Sequence, residues 1–209
     1  MKPPIHTHIV GIDEAGRGPL AGPVAVGAVM VSCGQLKAFV ALFRGVKDSK
    51  KLSAQKREIW FQKLQTAERA GMVRFRVSFS GSGTIDKQGI NIAISRSIAS
   101  SLWSLPCPPK NSLILLDGGL HAPDVYRNQK TIIRGDEKIM IISLASIAAK
   151  VLRDRLMEKL SLKYPLYGLE QHKGYGTKEH FKKIKKHGPS KIHRRSFLKN
   201  AGQPDYYEV

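Results

Sequence analysis

Acidic side chains follow short apolar runs at three places in the chain. Asp13 and Glu14 end the run HIVGI, Asp117 ends SLILL, and Asp136 follows KTIIRG, with a glycine close to each. Such runs predict buried strands, and ligands of α/β sheets gather at strand ends. Clustered carboxylates repel one another, a repulsion that a hard divalent cation removes, and Mg²⁺ favours a few carboxylates plus substrate phosphate oxygens. The pattern therefore predicts a metal site at one edge of a sheet.

Two adjacent acids on one strand do not automatically share a site. Consecutive strand residues point to opposite faces, so Glu14 joins Asp13 only if the strand ends there, which the glycines that follow permit. Taken singly, each acid is explained equally well as a turn residue or a helix cap, an explanation that weakens for the set as a whole. Asp154, flanked by arginines, is better explained by an ion pair on a helix surface than by metal ligation.

The chain is strongly basic, with 35 Lys and Arg residues against 16 Asp and Glu and a formal net charge of +19. Such a charge predicts a polyanionic partner, most commonly nucleic acid. An acidic metal site inside a basic surface suits phosphodiester hydrolysis, in which paired metals activate water and stabilise the leaving oxygen. Charge alone does not separate an enzyme from a non-catalytic nucleic-acid-binding protein. That alternative stays open, although a pure binder has no need of the acids.

Other classes of protein are disfavoured. No window approaches the roughly 18 uninterrupted apolar residues of a membrane span, and the N-terminus lacks the apolar core of a signal peptide, so we expect a cytoplasmic protein. Cys33 and Cys107 are isolated, which argues against a disulfide framework or a thiolate zinc site. No exposed apolar stripe is obvious in the sequence, and we expect a monomer.

Hydrophobic periodicity predicts one mixed α/β sheet covered by helices. The first three strands follow one another and suggest an antiparallel start, whereas the fourth is nearly all apolar, as a buried interior strand would be. The predicted strands are 7–13, 22–32, 72–79, 112–117 and 130–134. The predicted helices are 53–70, 84–104, 143–162 and 177–187.

At this point the motifs resemble those of a known family. The run DEAGRGPLAGPV, residues 13–24, resembles the signature of type 2 ribonucleases H, specifically bacterial ribonuclease HII. Further blocks follow in the same order as in that family: DSKKLS (48–53), LDG (116–118), GD (135–136), ASIAAKVLRD (145–154), HKGYGT (172–177) and HRRSF (193–197). The resemblance runs from about residue 8 to residue 197, and its first block is highly specific.

The resemblance implies a fold, a metal site and an activity. The fold would be an RNase H-like mixed sheet flanked by helices, and the four acids Asp13, Glu14, Asp117 and Asp136 would be catalytic and bind two Mg²⁺ or Mn²⁺ ions. Family members cut RNA in RNA–DNA hybrids and nick duplex DNA 5′ of an embedded ribonucleotide, leaving 3′-OH and 5′-phosphate ends. Another metal nuclease of the same superfamily, such as a DNA resolvase, would instead cut without any 2′-OH.

Substrate contacts are also implied by matching position. The loop of Gly16, Arg17 and Gly18 would contact the ribose 2′-OH and neighbouring phosphates, largely through backbone groups, and Tyr175 would stack on the next sugar. Ser49 and Lys50 would contact phosphate beside a helix start.

The basic run from residue 173 to 195 suggests a surface that follows the phosphates. We therefore expect a catalytic domain at 7–165 and a basic C-terminal helical segment at 166–209 packed on it.

Overall fold

The computed structural model describes residues 6–46 and 52–200. Within them a five-stranded sheet has the order β3-β2-β1-β4-β5. Its strands are β1 (His8–Ala15), β2 (Val24–Ser32), β3 (Val73–Ser80), β4 (Ser112–Asp117) and β5 (Gln129–Ile132). The helices are α1 (Leu36–Leu42), α2 (Ala54–Arg69), α3 (Ser82–Gln88), α4 (Ile90–Trp103), α5 (Gly135–Lys138), α6 (Met140–Lys163), α7 (Leu169–His172), α8 (Lys178–His187) and α9 (Arg195–Asn200). The prediction of a mixed sheet flanked by helices is confirmed.

The sheet combines an antiparallel half with a parallel half. β1 pairs antiparallel with β2, and β2 with β3, as the sequence predicts. β4 lies parallel to β1, and β5 lies parallel to β4. Because β1 and β4 run in the same direction side by side, Asp13 and Asp117 reach the same edge of the sheet.

The long helix α6 packs unusually close to the middle of the sheet. A Cβ atom on Gly11 of β1 would lie 2.5 Å from the Ile141 backbone, and one on Gly27 of β2 would lie 2.2 Å from the Ala145 carbonyl oxygen. Side chains at these strand positions would push the helix away. The two glycines therefore bring the start of α6 against the strand ends that carry the acids.

Several predicted boundaries need correction. The predicted helix 84–104 is two helices, because Gly89 has φ +84° and breaks the chain direction between α3 and α4. The first strand does not end at Asp13 but continues through Ala15, which pairs with Ala25. The helix predicted from residue 143 already begins at Met140. The short helices α1, α7 and α9 were not predicted, since elements of four to seven residues carry little periodicity.

The C-terminal helices pack onto the loop after β1. Leu169, Ile184 and Leu198 form one buried apolar cluster with Leu20 and Met157. Ala21 also forms an isolated antiparallel bridge with His193. The division into domains 7–165 and 166–209 stays a prediction. Among the described helices, none has the length and apolar character needed to cross a membrane.

Candidate active site

Three acids converge at the edge where β1 and β4 end. Asp13, Asp117 and Asp136 each place one carboxylate oxygen within 4.8 Å of the others, which makes a group that could hold a metal ion. Asp13 and Asp136 are buried, at 2% and 0% exposure. Asp136 does not end a strand as predicted but lies in the short helix α5. Its neighbour Gly135 donates from N–H to Oδ1 of Asp117 at 2.6 Å, which fixes α5 against β4.

The burial of Asp13 changes its proton affinity. Desolvation raises the pKa of Asp13 well above its ordinary value, and the nearby charges of Glu14 and Asp117 raise it further. Its Oδ1 accepts the backbone N–H of Glu14 at 2.7 Å, whereas Oδ2 has no hydrogen-bond partner among the described residues. A buried carboxylate oxygen without a donor, next to two further acids, fits a hard divalent cation.

Glu14 lies outside the compact group of three aspartates. Because β1 continues through Ala15, Glu14 and Asp13 point to opposite sides of the strand. The Glu14 Oε1 accepts from Nε of Arg17 at 3.0 Å, and the Glu14 side chain is 17% exposed. Among the described residues, the compact acidic group consists of the three aspartates, so metal ligation by Glu14 stays a prediction. Glu14 nevertheless borders the same cleft.

That cleft has a volume of about 330 Å³ and collects most of the predicted site residues. It is lined by Asp13, Glu14, Ala15, Gly16, Arg17, Gly18, Arg57, Asp117, Ser146, Lys150 and Tyr175. Tyr175 is 42% exposed, in agreement with a surface aromatic rather than a core residue. The Nζ of Lys150 lies 5.6 Å from the Tyr175 ring centroid. Predicted Ser49 and Lys50 lie outside the described residues.

The loop after β1 rests on two buried arginines, Arg153 and Arg194, whose supporting role sequence reasoning missed. Gly16 has φ +86°, and a Cβ there would lie 2.0 Å from Nε of Arg153, so both the conformation and the space require glycine. Arg153 donates to the carbonyl oxygens of Pro23, Ala21 and Lys173. Burial lowers the pKa of Arg153. It is fully buried, so its guanidinium supports the loop from beneath.

Arg194 supports the same loop from the C-terminal segment. Its guanidinium donates to the carbonyl oxygens of Gly22 at 3.0 Å, Arg17 at 2.8 Å and Gly16 at 2.7 Å. Burial, together with the neighbouring charge of Arg153, lowers the pKa of Arg194 to about 9. By donating to the Gly16 and Arg17 carbonyl oxygens, Arg194 holds this part of the loop backbone in one position.

Three further residues that line the cleft, Arg57, Ser146 and Lys150, were not predicted as site residues, and the sequence pattern points to only two of them. Ser146 and Lys150 are four residues apart on α6, a spacing that puts both on one helix face. Arg57 on α2 has no such signal, because exposed arginines are common on helices. The sequence interpretation of Asp154 is confirmed: its Oδ1 pairs with Nζ of Lys150 at 2.9 Å.

Comparison with known proteins identifies the family. A family model described as ribonuclease HII matches residues 10–200. The chain belongs to the ribonuclease HII family. A ribonuclease HII of Caldicellulosiruptor bescii is 44% identical over 192 residues, covering 92% of this chain and 87% of that protein. A ribonuclease HII of Bacillus licheniformis is also 44% identical, covering 92% of this chain and 70% of that protein.

The fold agrees with this family. The crystal structure of ribonuclease H2 from Pyrococcus horikoshii OT3 is similar with a TM-score of 0.69 and 28% identity, covering 90% of this chain and 93% of that one. The RNase H-like fold expected from the resemblance is therefore confirmed. Membership of the ribonuclease HII family supports ribonuclease H activity, a metal-dependent nuclease activity with which the acidic group agrees.

Proposed function

We propose that this chain is a metal-dependent endonuclease that cuts RNA in RNA–DNA hybrids and nicks duplex DNA 5′ of a single embedded ribonucleotide. The products would carry 3′-OH and 5′-phosphate ends. The observation that carries the proposal is the group of Asp13, Asp117 and Asp136, whose carboxylate oxygens lie within 4.8 Å of one another in a chain of net charge +19. A non-catalytic binder gains nothing from desolvated acids beside a phosphate path.

The acids would hold two divalent cations, Mg²⁺ or Mn²⁺. Asp13 and Asp136 would be buried ligands and Asp117 a half-buried one, and Glu14 would contribute from the lining of the same cleft. When bound, such metals supply a nucleophilic water and stabilise the leaving oxygen. The unpartnered Oδ2 of Asp13 supports this assignment, because ligation would satisfy an otherwise costly buried oxygen.

The residues around the acids would recognise the substrate. Backbone groups of Gly16 and Gly18 would contact the ribose 2′-OH, and Arg17 would contact a neighbouring phosphate. The exposed ring of Tyr175 would stack on the next sugar, close to the Lys150 ammonium. Ser49 and Lys50 would complete the phosphate contacts.

The basic C-terminal segment, 166–209, would bind the duplex while 7–165 carries catalysis. α8 contains Lys178, Lys182, Lys183, Lys185 and Lys186, and it follows directly after the loop that carries Tyr175. Lys182 and Lys186 are exposed, as a phosphate-binding role requires. We expect the protein to act as a cytoplasmic monomer.

The decisive experiment is cleavage of a DNA duplex that contains one ribonucleotide, with Mg²⁺, with Mn²⁺ and with a chelator. We expect a single nick 5′ of the ribonucleotide that requires the metal. An all-DNA duplex of the same sequence is the control, and its cleavage would indicate a resolvase-like nuclease instead. Binding without cleavage under every metal condition would favour the non-catalytic alternative.

A further inference from the structure

Beneath the loop that carries Tyr175 lies a buried chain of hydrogen bonds that runs through two histidines. His180 and His193 are 0% and 2% exposed, and their Nε2 atoms are 3.2 Å apart. The Nδ1 of His180 lies 2.9 Å from the Tyr175 carbonyl oxygen. At the other end, the Nδ1 of His193 lies 2.9 Å from the backbone nitrogen of Ser190.

The two ends of this chain fix where each proton must be. A carbonyl oxygen only accepts, so His180 carries its proton on Nδ1 and donates it to Tyr175. The Ser190 N–H only donates, so Nδ1 of His193 carries no proton and the ring is protonated on Nε2. The Nε2–H of His193 then donates to the unprotonated Nε2 of His180. The contact with Tyr175 and the contact with Ser190 thus agree on the same pair of neutral tautomers. In this arrangement every hydrogen bond of the relay joins one donor to one acceptor.

The surroundings of the pair favour the neutral state. The His172 ring stacks on His180 with centroids 4.2 Å apart, and the Tyr167 ring lies 4.7 Å from His193. Burial lowers the pKa of both His180 and His193 to about 4, and the charge of Lys183 on the same helix acts on His180 in the same direction.

We propose that His180 and His193 are positioning residues that hold the Tyr175 loop, residues 173–177, through this neutral relay from Ser190 to the Tyr175 carbonyl. The loop is also tied to the turn after β1, because the Gly174 carbonyl accepts from the Leu20 N–H at 2.8 Å. Together with this bond, the relay fixes the position of the Tyr175 ring at the cleft. The inference rests on the proposed role of Tyr175 in substrate contact.

The first test asks whether the histidines act through Tyr175. His180→Phe keeps a ring that can stack on His172 but removes both hydrogen bonds, whereas His180→Asn keeps a donor on the side of the Tyr175 carbonyl. Coupled neighbours typically interact by an amount worth several-fold to a hundredfold in an equilibrium or rate. We expect His180→Phe to lower kcat/KM on the single-ribonucleotide duplex about tenfold, and His180→Asn to restore most of that loss.

The same substitution in a Tyr175→Ala background is the sharper measurement. If His180 acts by positioning the ring, His180→Phe costs less than about twofold once the ring is absent. An equal loss in both backgrounds would overturn the proposal. His8→Phe is the matched control, because it makes the same change at a half-buried histidine at the start of β1, the end of that strand opposite Asp13, and should leave kcat/KM unchanged.

The second test does not depend on activity. In ¹⁵N-histidine NMR spectra of the full chain at pH 6, we expect His180 as the neutral Nδ1–H tautomer and His193 as the neutral Nε2–H tautomer. A charged ring or the opposite tautomer at either position would contradict the relay. If the wild-type protein cleaves no substrate, the proposed function fails, and the spectra still decide the relay.

Discussion

The guanidinium of Arg194 donates from Nη2 to the carbonyl oxygen of Gly16 at 2.7 Å, joining residues 178 positions apart in the chain. Through this contact the C-terminal segment holds the loop that follows β1. The buried guanidinium donates to three carbonyl oxygens. Its planar fork of N–H groups allows it to bond several backbone oxygens at once.

Arg194→Lys should destabilise the protein and impair cleavage, because one ammonium cannot serve the three carbonyls that the fork reaches. Buried acceptors that lose their donor cost about 1–3 kcal/mol each, so we expect a clear fall in Tm. Thermal unfolding and kcat/KM are the measurements. Arg195→Lys, a neighbouring exposed position, is the control. Equal Tm values for the two variants would contradict a supporting role for Arg194.

Asp136→Asn should abolish cleavage and leave duplex binding intact or stronger. A neutral amide ligates metal poorly, and the change removes a negative charge near the phosphate. Nicking assays and binding titrations of the variant separate the two effects. Residual turnover above about 10% of wild type, a deficit of only ~1.4 kcal/mol in the barrier, would argue against a metal ligand.

Tyr175→Ala should lower the efficiency on a single-ribonucleotide duplex by about ten- to a hundredfold, as expected for loss of one stacking contact of ~1–3 kcal/mol. Tyr175→Phe should retain most of the efficiency, since its ring still stacks. Both variants are compared on the single-ribonucleotide duplex and on a continuous RNA–DNA hybrid, after a check that Tm is unchanged. Equal losses on both substrates would mean that the ring does not distinguish a single ribonucleotide in DNA from a continuous RNA strand.

Substrate binding should weaken steeply with salt. If roughly five phosphates are neutralised, log K falls with a slope of about −4 to −5 against log[salt]. Lys182→Ala and Lys186→Ala should each flatten that slope slightly without moving the cut site. A relocated cut would indicate that α8 reads position and not only charge.

The buried histidines predict an acid-sensitive fold. His180 and His193 have a folded-state pKa of about 4, below the ordinary value of 6.5. As the pH falls from about 6.5 towards 4, the unfolded chain takes up protons that the folded chain refuses, so the stability present above pH 6.5 is progressively lost. Each histidine contributes a slope of at most about 1.4 kcal/mol per pH unit.

Thermal unfolding of wild type and His193→Phe across this range, with a chelator present, measures the contribution. Desolvation of Asp13 acts in the opposite direction, because its raised pKa favours the protonated folded state at low pH. The Asp13 contribution is the same in both proteins, so it cancels when the free energy of unfolding of the variant is subtracted from that of wild type. If the stability of wild type and variant falls in parallel with pH, His193 is not the source of the acid sensitivity.

Much of the site could be predicted from local sequence. Asp13 and Asp117 follow apolar runs in strands that are parallel neighbours, so their convergence follows from the strand pattern. The helix predicted at 53–70 is confirmed as α2, and Ser53 caps its start by accepting the Lys56 N–H through Oγ. The glycine-rich loop and the ribonuclease HII signature also lie within one continuous stretch, which makes them visible without any tertiary contact.

Tertiary structure alone decided how the site is supported. The sequence left open whether Glu14 would join Asp13. In the fold Glu14 pairs with Arg17 and lines the same cleft, but it lies outside the compact group of three aspartates. Arg194 belongs to the basic run that the sequence predicts to follow the phosphates, yet it is fully buried beneath a loop near the other end of the chain. Local patterns record which face of an element is apolar. They carry no signal for hydrogen bonds between side chains and distant backbone carbonyls, because any backbone carbonyl can accept such a bond and only the packed fold brings one within reach.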